Sequence, residues 1–312
     1  EIVILTATSG DTGKAALEGF ADVEGIKIIV YFPEHGVSQI QKQQMVTQKG
    51  KNTYVIGIEG NFDDAQNGVK EMFNDKELIS KMKANGYTFS SVNSINIGRL
   101  VPQIVYYFYA YMQMCKLGEI KTGELINFAV PTGNFGNILA GLYAKSMGLP
   151  INNLICASNE NKVLYDFFKT GIYDKLREFK ITNSPSMDIL ISSNLERYIY
   201  KISEDNAERT AMLMKQLYQF GKYELKEEEI HNLQGVYGGF ATELETSKAI
   251  KDVYNNQNYI IDTHTGVSYS VYRKYMEETG DETKTIIVST ASPYKFTGAV
   301  MSSLCESSQN AN

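Results

Sequence analysis

The sequence predicts an α/β protein with two three-layer domains, each built on a mainly parallel sheet. Three observations support this class. Short apolar runs typical of buried strands alternate with helix-like segments along the chain. Two of the strand-to-helix transitions pass through polar loops that contain glycine. The length of 312 residues is enough for two domains of ordinary size.

The first transition opens the chain: residues 2–5 predict a buried strand, residues 6–13 a polar turn and residues 14–20 a helix. Gly13 followed by Lys14 resembles the phosphate-binding loop of nucleotide triphosphatases. That motif also requires a glycine five residues before Gly13 and a serine or threonine after Lys14, where this chain has Thr8 and Ala15. A nucleotide triphosphatase is therefore rejected.

The same turn is rich in hydroxyl groups. Thr8, Ser9 and Thr12 surround Gly10, and backbone N–H groups next to a glycine are accessible to a ligand. Such a surface can bind a carboxylate without a formal positive charge, so we expect a carboxylate site here.

The segments that follow alternate between the two patterns. We expect strands at residues 27–32 and 54–58, a polar helix at residues 38–48, and a helix at residues 63–73 capped by Asn61. Residues 90–96 then lead into a long apolar helix at residues 100–115. This helix is apolar on all sides, so packing is favoured over a ligand platform for its aromatic cluster, Tyr106, Tyr107, Phe108, Tyr109 and Tyr111.

The second glycine loop, residues 131–137, follows a predicted strand at residues 125–130 and precedes a predicted helix at residues 138–147. Gly133 and Gly136 let the backbone approach a ligand closely, and the N–H groups of a first helical turn favour an anion. The loop contains no Lys or Arg, so a phosphate monoester held by backbone donors fits it. The alternative is a tight turn in which Asn134 caps the helix. The loop alone leaves both interpretations open.

The rest of the chain continues the alternation, with a less regular middle. We expect a helix at residues 162–168 and strands at residues 154–157, 259–261 and 285–288. Strands separated by helices favour parallel sheets with helices on both faces.

The composition argues against several classes of function. A net charge of −6 without blocks of one sign argues against nucleic acid or membrane partners. Three scattered cysteines suit a reducing cytoplasm, and three dispersed histidines do not predict a metal site. These features favour a cytoplasmic protein acting on a small molecule.

Six stretches in a fixed order resemble the threonine synthase family of pyridoxal-phosphate enzymes, which is grouped with tryptophan synthase β. They span essentially the whole chain: Thr6-Ala-Thr-Ser-Gly-Asp-Thr-Gly13, Ser91-Val-Asn-Ser-Ile-Asn96 with Arg99, Val130-Pro-Thr-Gly-Asn-Phe-Gly-Asn137, Ser186-Met-Asp-Ile with Ser192-Ser-Asn-Leu-Glu-Arg197, Asp262-Thr-His-Thr-Gly266, and Ser289-Thr-Ala-Ser-Pro-Tyr-Lys-Phe296.

The resemblance implies a cofactor site in the cleft between two domains. One domain is a smaller one at residues 1–92 with the substrate-carboxylate loop, and the other is a larger one at residues 93–312 with the cofactor-phosphate loop. The resemblance also implies that Asp11 contacts the ring oxygen of the cofactor, although many relatives have asparagine at this position. It further implies that the Thr290 hydroxyl is the partner of the pyridine nitrogen. His264 and Lys295 are implied as supporting residues, or equally as a core histidine and a surface lysine. The pyridoxal-phosphate group itself would be held by Gly133, Asn134, Phe135, Gly136 and Asn137.

For the substrate, the resemblance implies that Thr8, Ser9, Gly10 and Thr12 receive its carboxylate. Ser94, Asn96 and Arg99 resemble the group that receives the phosphate of O-phospho-L-homoserine. A guanidinium can bind a phosphate in bidentate fashion, which suits Arg99.

The implied reaction is elimination of phosphate from O-phospho-L-homoserine followed by addition of water, which gives L-threonine. Two alternatives stay open: a serine or threonine dehydratase or cysteine synthase of the same group, and a non-catalytic domain that binds pyridoxal phosphate or an amino acid.

The chain departs from the family pattern at both ends. The Schiff-base lysine of the family lies in a Phe-Lys-Asp stretch upstream of the first loop, and the family usually continues further after Phe296. We therefore expect a truncated chain that lacks this lysine, leaves the first strand partly uncovered and does not catalyse the reaction by itself.

Overall fold

The computed structural model describes residues 1–93, 96–233 and 235–305. Contacts divide the chain into two compact units, which we call unit 1 (Glu1–Arg99) and unit 2 (Leu100–Asn312). The boundary expected from the sequence, after residue 92, precedes this division by a few residues.

Unit 1 is a four-stranded parallel sheet with strand order β3-β2-β1-β4. Its core consists of apolar side chains from the inner strands and from α1 and α2, among them Ile4, Leu17, Ile28 and Met45. The elements are β1 (Ile2–Ala7), α1 (Asp11–Phe20), β2 (Ile26–Pro33), α2 (Gln39–Val46), β3 (Thr53–Ile58), α3 (Phe62–Asn74), α4 (Lys76–Ala84) and β4 (Thr88–Ser91), after which α5 (Ile97–Lys116) begins.

Unit 2 contains a second parallel sheet, with strand order β10-β5-β6-β9. Every residue of the central strand β5 is buried. The strands and helices are β5 (Ile126–Pro131), α6 (Gly136–Ser146), β6 (Ile151–Ser158), α7 (Val163–Thr170), β7 (Ile172–Asp174), α8 (Leu195–Ile202), α9 (Ala207–Phe220), β8 (Lys222–Glu224), α10 (Glu227–His231), β9 (Val236–Phe240), α11 (Glu243–Gln257), α12 (Thr263–Thr279), β10 (Thr285–Ile287) and α13 (Thr297–Cys305). The predicted α/β class with parallel sheets is confirmed.

Local capping explains where two helices of unit 1 begin. Asn61 accepts a hydrogen bond from the backbone N–H of Asp64, whose side chain in turn accepts from the Asn61 N–H. This capping box confirms Asn61 as the predicted cap of α3. Ser38 and Gln41 form the same motif at the start of α2.

In unit 2 one predicted strand is wrong and one observed strand was missed. Residues 259–261 do not form a strand, because Ile261 is buried against Ile250 and Phe296 in a helix-rich cluster instead of pairing with a sheet. The outer strand β9 was not predicted, since its Gly238-Gly239 pair is unfavourable in strands. A Cβ on Gly239 would lie 2.4 Å from Val271 of α12, so close packing of the helix requires glycine there.

The prediction that the aromatic cluster of α5 is packed holds for only part of the cluster. Tyr107 and Tyr111 are buried, but Tyr106 and Tyr109 are 67% and 63% exposed. No helix within the described residues is both long and apolar enough to cross a membrane.

Candidate functional site

The first glycine loop, between β1 and α1, is shorter than predicted. The helix begins at Asp11 instead of Lys14, because the Thr8 hydroxyl organises the turn before it. Thr8 Oγ1 accepts the backbone N–H groups of Gly10 at 3.0 Å and Gly13 at 2.8 Å. Gly10 has a φ of 129°, a value that side-chain-bearing residues rarely adopt. The turn therefore consists of three residues, Thr8 to Gly10.

A buried glutamine on α2 supports this loop from the side. Gln41 is fully buried, and a Cβ on Gly10 would lie 2.5 Å from its amide carbon. Its Nε2 donates to Asp11 Oδ1 at 2.9 Å, while its Oε1 accepts the Ser38 N–H at 3.1 Å. Gln41 thus orients the Asp11 carboxylate at the start of α1.

The structure separates the predicted carboxylate ligands into two kinds. The Thr8 side chain is buried and its hydroxyl holds the turn, so its contribution is structural. Ser9 and Thr12 are half-buried, on the accessible part of the loop and the first helical turn.

Arg99 lies next to this loop. Its Nη1 donates to the Val92 carbonyl at 2.9 Å and its Nη2 donates to Thr12 Oγ1 at 3.3 Å. The structure therefore brings a predicted phosphate ligand, Arg99, next to a predicted carboxylate ligand, Thr12.

The segment before α5 is held by two asparagines. Asn93 both donates to and accepts from the backbone of Ala7, at 2.7 and 3.1 Å, which fixes the end of β1. Asn96 donates to the Ser91 carbonyl at 2.8 Å and accepts the Gly98 N–H at 3.0 Å. The Asn96 amide thus supports the segment, and Ser94 lies outside the described residues.

Lys14 points away from the loop. Its Nζ lies 2.7 Å from Glu18 Oε2, one turn further along α1, and it also donates to Gln48. Glu18 lies on α1 and Gln48 follows α2, so neither of these partners of Lys14 is in the turn.

The second glycine loop, between β5 and α6, has a left-handed residue at its centre. Phe135 has a φ of 65°, and α6 begins after it at Gly136, two residues before the predicted start. Asn134 Oδ1 accepts the Gly136 N–H at 2.9 Å, so the side chain stabilises the turn into the helix. The Phe135 ring is buried and stacks on Tyr198 and Phe168, with ring centroids 5.6 and 6.1 Å away. Only the backbone of Phe135 is therefore available to a ligand.

A segment some sixty residues further along braces the same loop. Ser192 Oγ donates to the Gly133 carbonyl at 2.7 Å, and the Asn194 backbone N–H donates to the Asn134 carbonyl at 2.9 Å. A Cβ on Gly133 would lie 2.7 Å from the Ser186 carbonyl oxygen, so the two backbones touch. The loop geometry is therefore set by a distant part of the chain.

Asn137, in the first turn of α6, is held from α5. The Tyr107 hydroxyl donates to Asn137, with 2.8 Å to its Oδ1 and 2.9 Å to its carbonyl oxygen. Burial raises the pKa of Tyr107 well above its ordinary value, so the hydroxyl keeps its proton. The bond fixes the side chain of a predicted cofactor ligand.

Beside these residues, α12 begins with a buried carboxylate and imidazole. Asp262 Oδ1 lies 3.0 Å from His264 Nδ1, and the Ser186 N–H donates to His264 Nε2 at 3.2 Å. Burial alone would raise the pKa of Asp262, but hydrogen bonds from His264 and Thr265 outweigh it and lower the pKa below its ordinary value. His264 is thus a hydrogen-bonded buried residue.

Thr290 follows β10, which pairs with β5 in the sheet. Because the strands are parallel, the carboxyl ends of β5 and β10 lie at the same edge, and Thr290 is exposed there. Lys295 is half-buried in the short turn before α13.

Sequence reasoning assigned no role to Ser186, Ser192 and Asn194. The available signal was the pair of motifs at residues 186–189 and 192–197, whose contact with the loop depends on the fold and not on local pattern. Ser192 and Asn194 bond the loop directly, and Ser186 packs against it.

Comparison with known proteins gives relatives over almost the whole chain. No family model matches. Human threonine synthase-like 1 is 42% identical over 311 residues, which cover 97% of this chain and 41% of that protein. Threonine synthase of Schizosaccharomyces pombe is 39% identical over an alignment of 321 positions, gaps included, which covers 96% of this chain and 61% of that protein.

The fold agrees with these relatives. The crystal structure of pyridoxal-phosphate-bound threonine synthase from Brucella melitensis superposes with a TM-score of 0.84 at 39% sequence identity, covering 97% of this chain and 62% of that one. The chain thus spans between about two fifths and three fifths of the proteins it matches. The family resemblance predicted from the motifs is confirmed: over nearly its whole length, this chain is homologous to the threonine synthases.

Proposed function

We propose that the protein is a threonine synthase that converts O-phospho-L-homoserine and water to L-threonine and phosphate, with pyridoxal phosphate as cofactor. The observation that carries the proposal is the identity of 36–39% to threonine synthases of two yeasts over 96–97% of the chain. Since the chain spans only part of those proteins, the activity is proposed for the whole protein.

The second glycine loop fits the phosphate of this cofactor. Backbone N–H groups of residues 133–137 lie at the N-terminus of α6, where the helix dipole favours an anion. Gly133 leaves no space for a side chain against Ser186, and Gly133, Asn134 and Asn137 are half-buried, so part of the loop can be reached by a ligand. Gly133, Asn134, Phe135, Gly136 and Asn137 would therefore hold the phosphate, with Asn134 and Phe135 acting through their backbone.

Bound there, pyridoxal phosphate would supply an electron sink for carbanions of the substrate. Thr290 would face the pyridine nitrogen. A neutral hydroxyl there leaves the nitrogen largely unprotonated, which moderates the sink. Asp11, oriented by Gln41, would contact the ring oxygen.

The first glycine loop and Arg99 would bind the substrate. Ser9 and Thr12 would receive the carboxylate on a turn whose shape is held by Thr8, while Gly10, whose N–H is donated to Thr8, would let the ligand approach the backbone closely. Arg99 would receive the phosphate together with Ser94 and Asn96. Its contact with Thr12 is the detail that favours a phosphorylated amino acid, because it places a guanidinium beside the carboxylate loop.

Phosphate release by the full-length protein tests the proposal. We expect turnover of O-phospho-L-homoserine that requires added pyridoxal phosphate. Activity on serine or threonine alone would indicate a dehydratase instead. Cofactor binding without turnover of any of these substrates would indicate the non-catalytic binding domain.

Lys14 is not proposed as the Schiff-base lysine, since Glu18 and Gln48 hold its amine on the helix surface. Borohydride reduction with pyridoxal phosphate and peptide mapping should recover no pyridoxyl group on Lys14. Recovery of the modified Lys14 peptide would contradict this assignment.

A further inference from the structure

We propose that Asp262 is a positioning residue that fixes the spacing between the two ends of the cofactor site, the phosphate loop at residues 133–137 and the segment after β10 that contains Thr290. The inference deepens the proposed function and rests on it for the identity of the cofactor. Asp262 is fully buried, and each of its two carboxylate oxygens is bonded to one of these ends through a short chain of contacts.

The first chain of contacts, which we call the phosphate arm, runs through His264. A backbone N–H can only donate, so the bond from Ser186 to His264 Nε2 requires a lone pair on Nε2. The ring proton is then on Nδ1 and is donated to Asp262 Oδ1 at 3.0 Å. His264 is therefore a neutral connector of defined tautomer.

The phosphate arm ends at the loop itself. The carbonyl oxygen of Ser186 lies 2.7 Å from where a Cβ on Gly133 would be, so the Ser186 backbone forms one wall of the loop. A rotation of His264 would release Ser186 and with it this wall. The imidazole is also held by Phe296, whose ring lies at 4.9 Å and 61°.

The second chain of contacts, which we call the ring arm, runs through Thr265. Its hydroxyl donates to Asp262 Oδ2 and lies 3.2 Å from Ser289 Oγ. Ser289 directly precedes Thr290, the proposed partner of the pyridine nitrogen. Both arms start from one carboxylate, at the N-cap of α12, so each arm holds one end of the cofactor site at a set distance from the same residue.

Four variants of the chain separate the two arms. His264→Asn keeps a donor near Nδ1 for Asp262 but removes the acceptor for Ser186, whereas His264→Gln keeps an acceptor near Nε2. Thr265→Val removes only the hydroxyl of the ring arm. Ser268→Ala is the matched control, because the Ser268 hydroxyl is buried on the same helix and has no hydrogen-bond partner among the described residues.

The first measurement is amide hydrogen exchange in the chain without cofactor, a readout that does not depend on activity. In His264→Asn we expect exchange to accelerate about tenfold in residues 133–137 and to stay unchanged in residues 288–290. Thr265→Val should give the reverse pattern, and His264→Gln should restore the first segment. Equal acceleration of both segments in His264→Asn and Thr265→Val, or no acceleration in either, would overturn the proposal.

The second measurement adds pyridoxal phosphate to the full-length protein. His264→Asn should weaken cofactor affinity about tenfold, while Thr265→Val should shift the absorption maximum of the bound ring and change affinity less than about twofold. If wild-type protein binds no pyridoxal phosphate although the exchange pattern appears, the proposed function fails and the positioning role of Asp262 stands. Binding of the cofactor without the exchange pattern would overturn the positioning role alone.

Discussion

The two glycine loops have the same order of strand, turn and helix, but they are stabilised in different ways. The loop of unit 1 is held by its own Thr8 and by Gln41 of the next helix. The loop of unit 2 is held by Ser192, Asn194 and the Ser186 backbone, from residues some fifty to sixty positions later. Similar local patterns can therefore depend on local bonds in one part of a molecule and on long-range bonds in another.

The largest effect is expected for substitution of Arg99, which should impair substrate binding at the first loop without impairing cofactor binding at the second. Arg99→Ala should lower kcat/KM for O-phospho-L-homoserine by about 100- to 1,000-fold, roughly 3–4 kcal/mol, because a guanidinium–phosphate pair is lost. Cofactor affinity should stay within about threefold, since the phosphate loop is in unit 2. Arg99→Lys, which keeps the charge without the bidentate fork, should be intermediate. A parallel fall in cofactor affinity would assign Arg99 to the cofactor or to folding.

Replacing one glycine of each loop by alanine tests how much the neighbouring atoms can move to accept a methyl group. Gly133→Ala should destabilise unit 2 by about 3 kcal/mol, because the added carbon meets the Ser186 backbone. Gly10→Ala should cost less, about 1–2 kcal/mol, since it meets the flexible Gln41 amide and the strain comes from the positive φ. Urea denaturation measures both. Gly19→Ala and Gly298→Ala, which meet open space, are the controls and should not destabilise.

Removal of one supporting hydroxyl for each loop, Thr8 within the first and Ser192 beside the second, compares local with long-range support. Thr8→Val leaves two buried N–H groups without their acceptor and should cost about 2–3 kcal/mol. Ser192→Ala removes a single bond to Gly133 and should cost about 1 kcal/mol. Thermal unfolding of both variants provides the test, and a larger loss for Ser192→Ala would reverse the comparison.

Low pH should increase the mobility of the second loop more than that of the first. This is the smallest of the four effects predicted here. The pKa of Asp262 is lowered in the fold, so its stabilising contribution is present above about pH 4, the ordinary carboxyl range, and is lost as the pH falls below it. Thr8 and Gln41 do not titrate. Between pH 6 and pH 3, hydrogen exchange should therefore accelerate more at residues 133–137 than at residues 8–10, after correction for intrinsic rates. In Asp262→Asn the difference should disappear; its persistence would show that another group is responsible.

Local features of the fold could be predicted from the sequence. The β1 and β5 strands and the helices after them follow from apolar runs and turn residues, and the cap at Asn61 follows from an asparagine placed just before a predicted helix. Helix starts were misplaced because Thr8 and Asn134 organise the turns and allow the helices to begin earlier. Such bonds extend a helix without changing its apolar pattern.

Long-range features could not be predicted in this way. The β9 strand depends on the fit of Gly239 against Val271 of α12, and residues 259–261 depend on which cluster buries Ile261. The hydrogen bond that supports the phosphate loop likewise joins Ser192 to Gly133, and only the fold shows that these two residues are neighbours. Sequence patterns identify the loops, but partners that are distant in the chain determine their shape.

The uncharged face of α5 also has a practical consequence. Val101, Val105, Tyr109 and Met112 form a stripe along the helix, and each is at least half exposed, between 51% and 64%. Salts such as sulfate are excluded from protein surfaces and strengthen apolar association, so they should promote self-association of this chain through the stripe. Preparations are therefore expected to stay monodisperse longest in low-sulfate buffers at modest protein concentration.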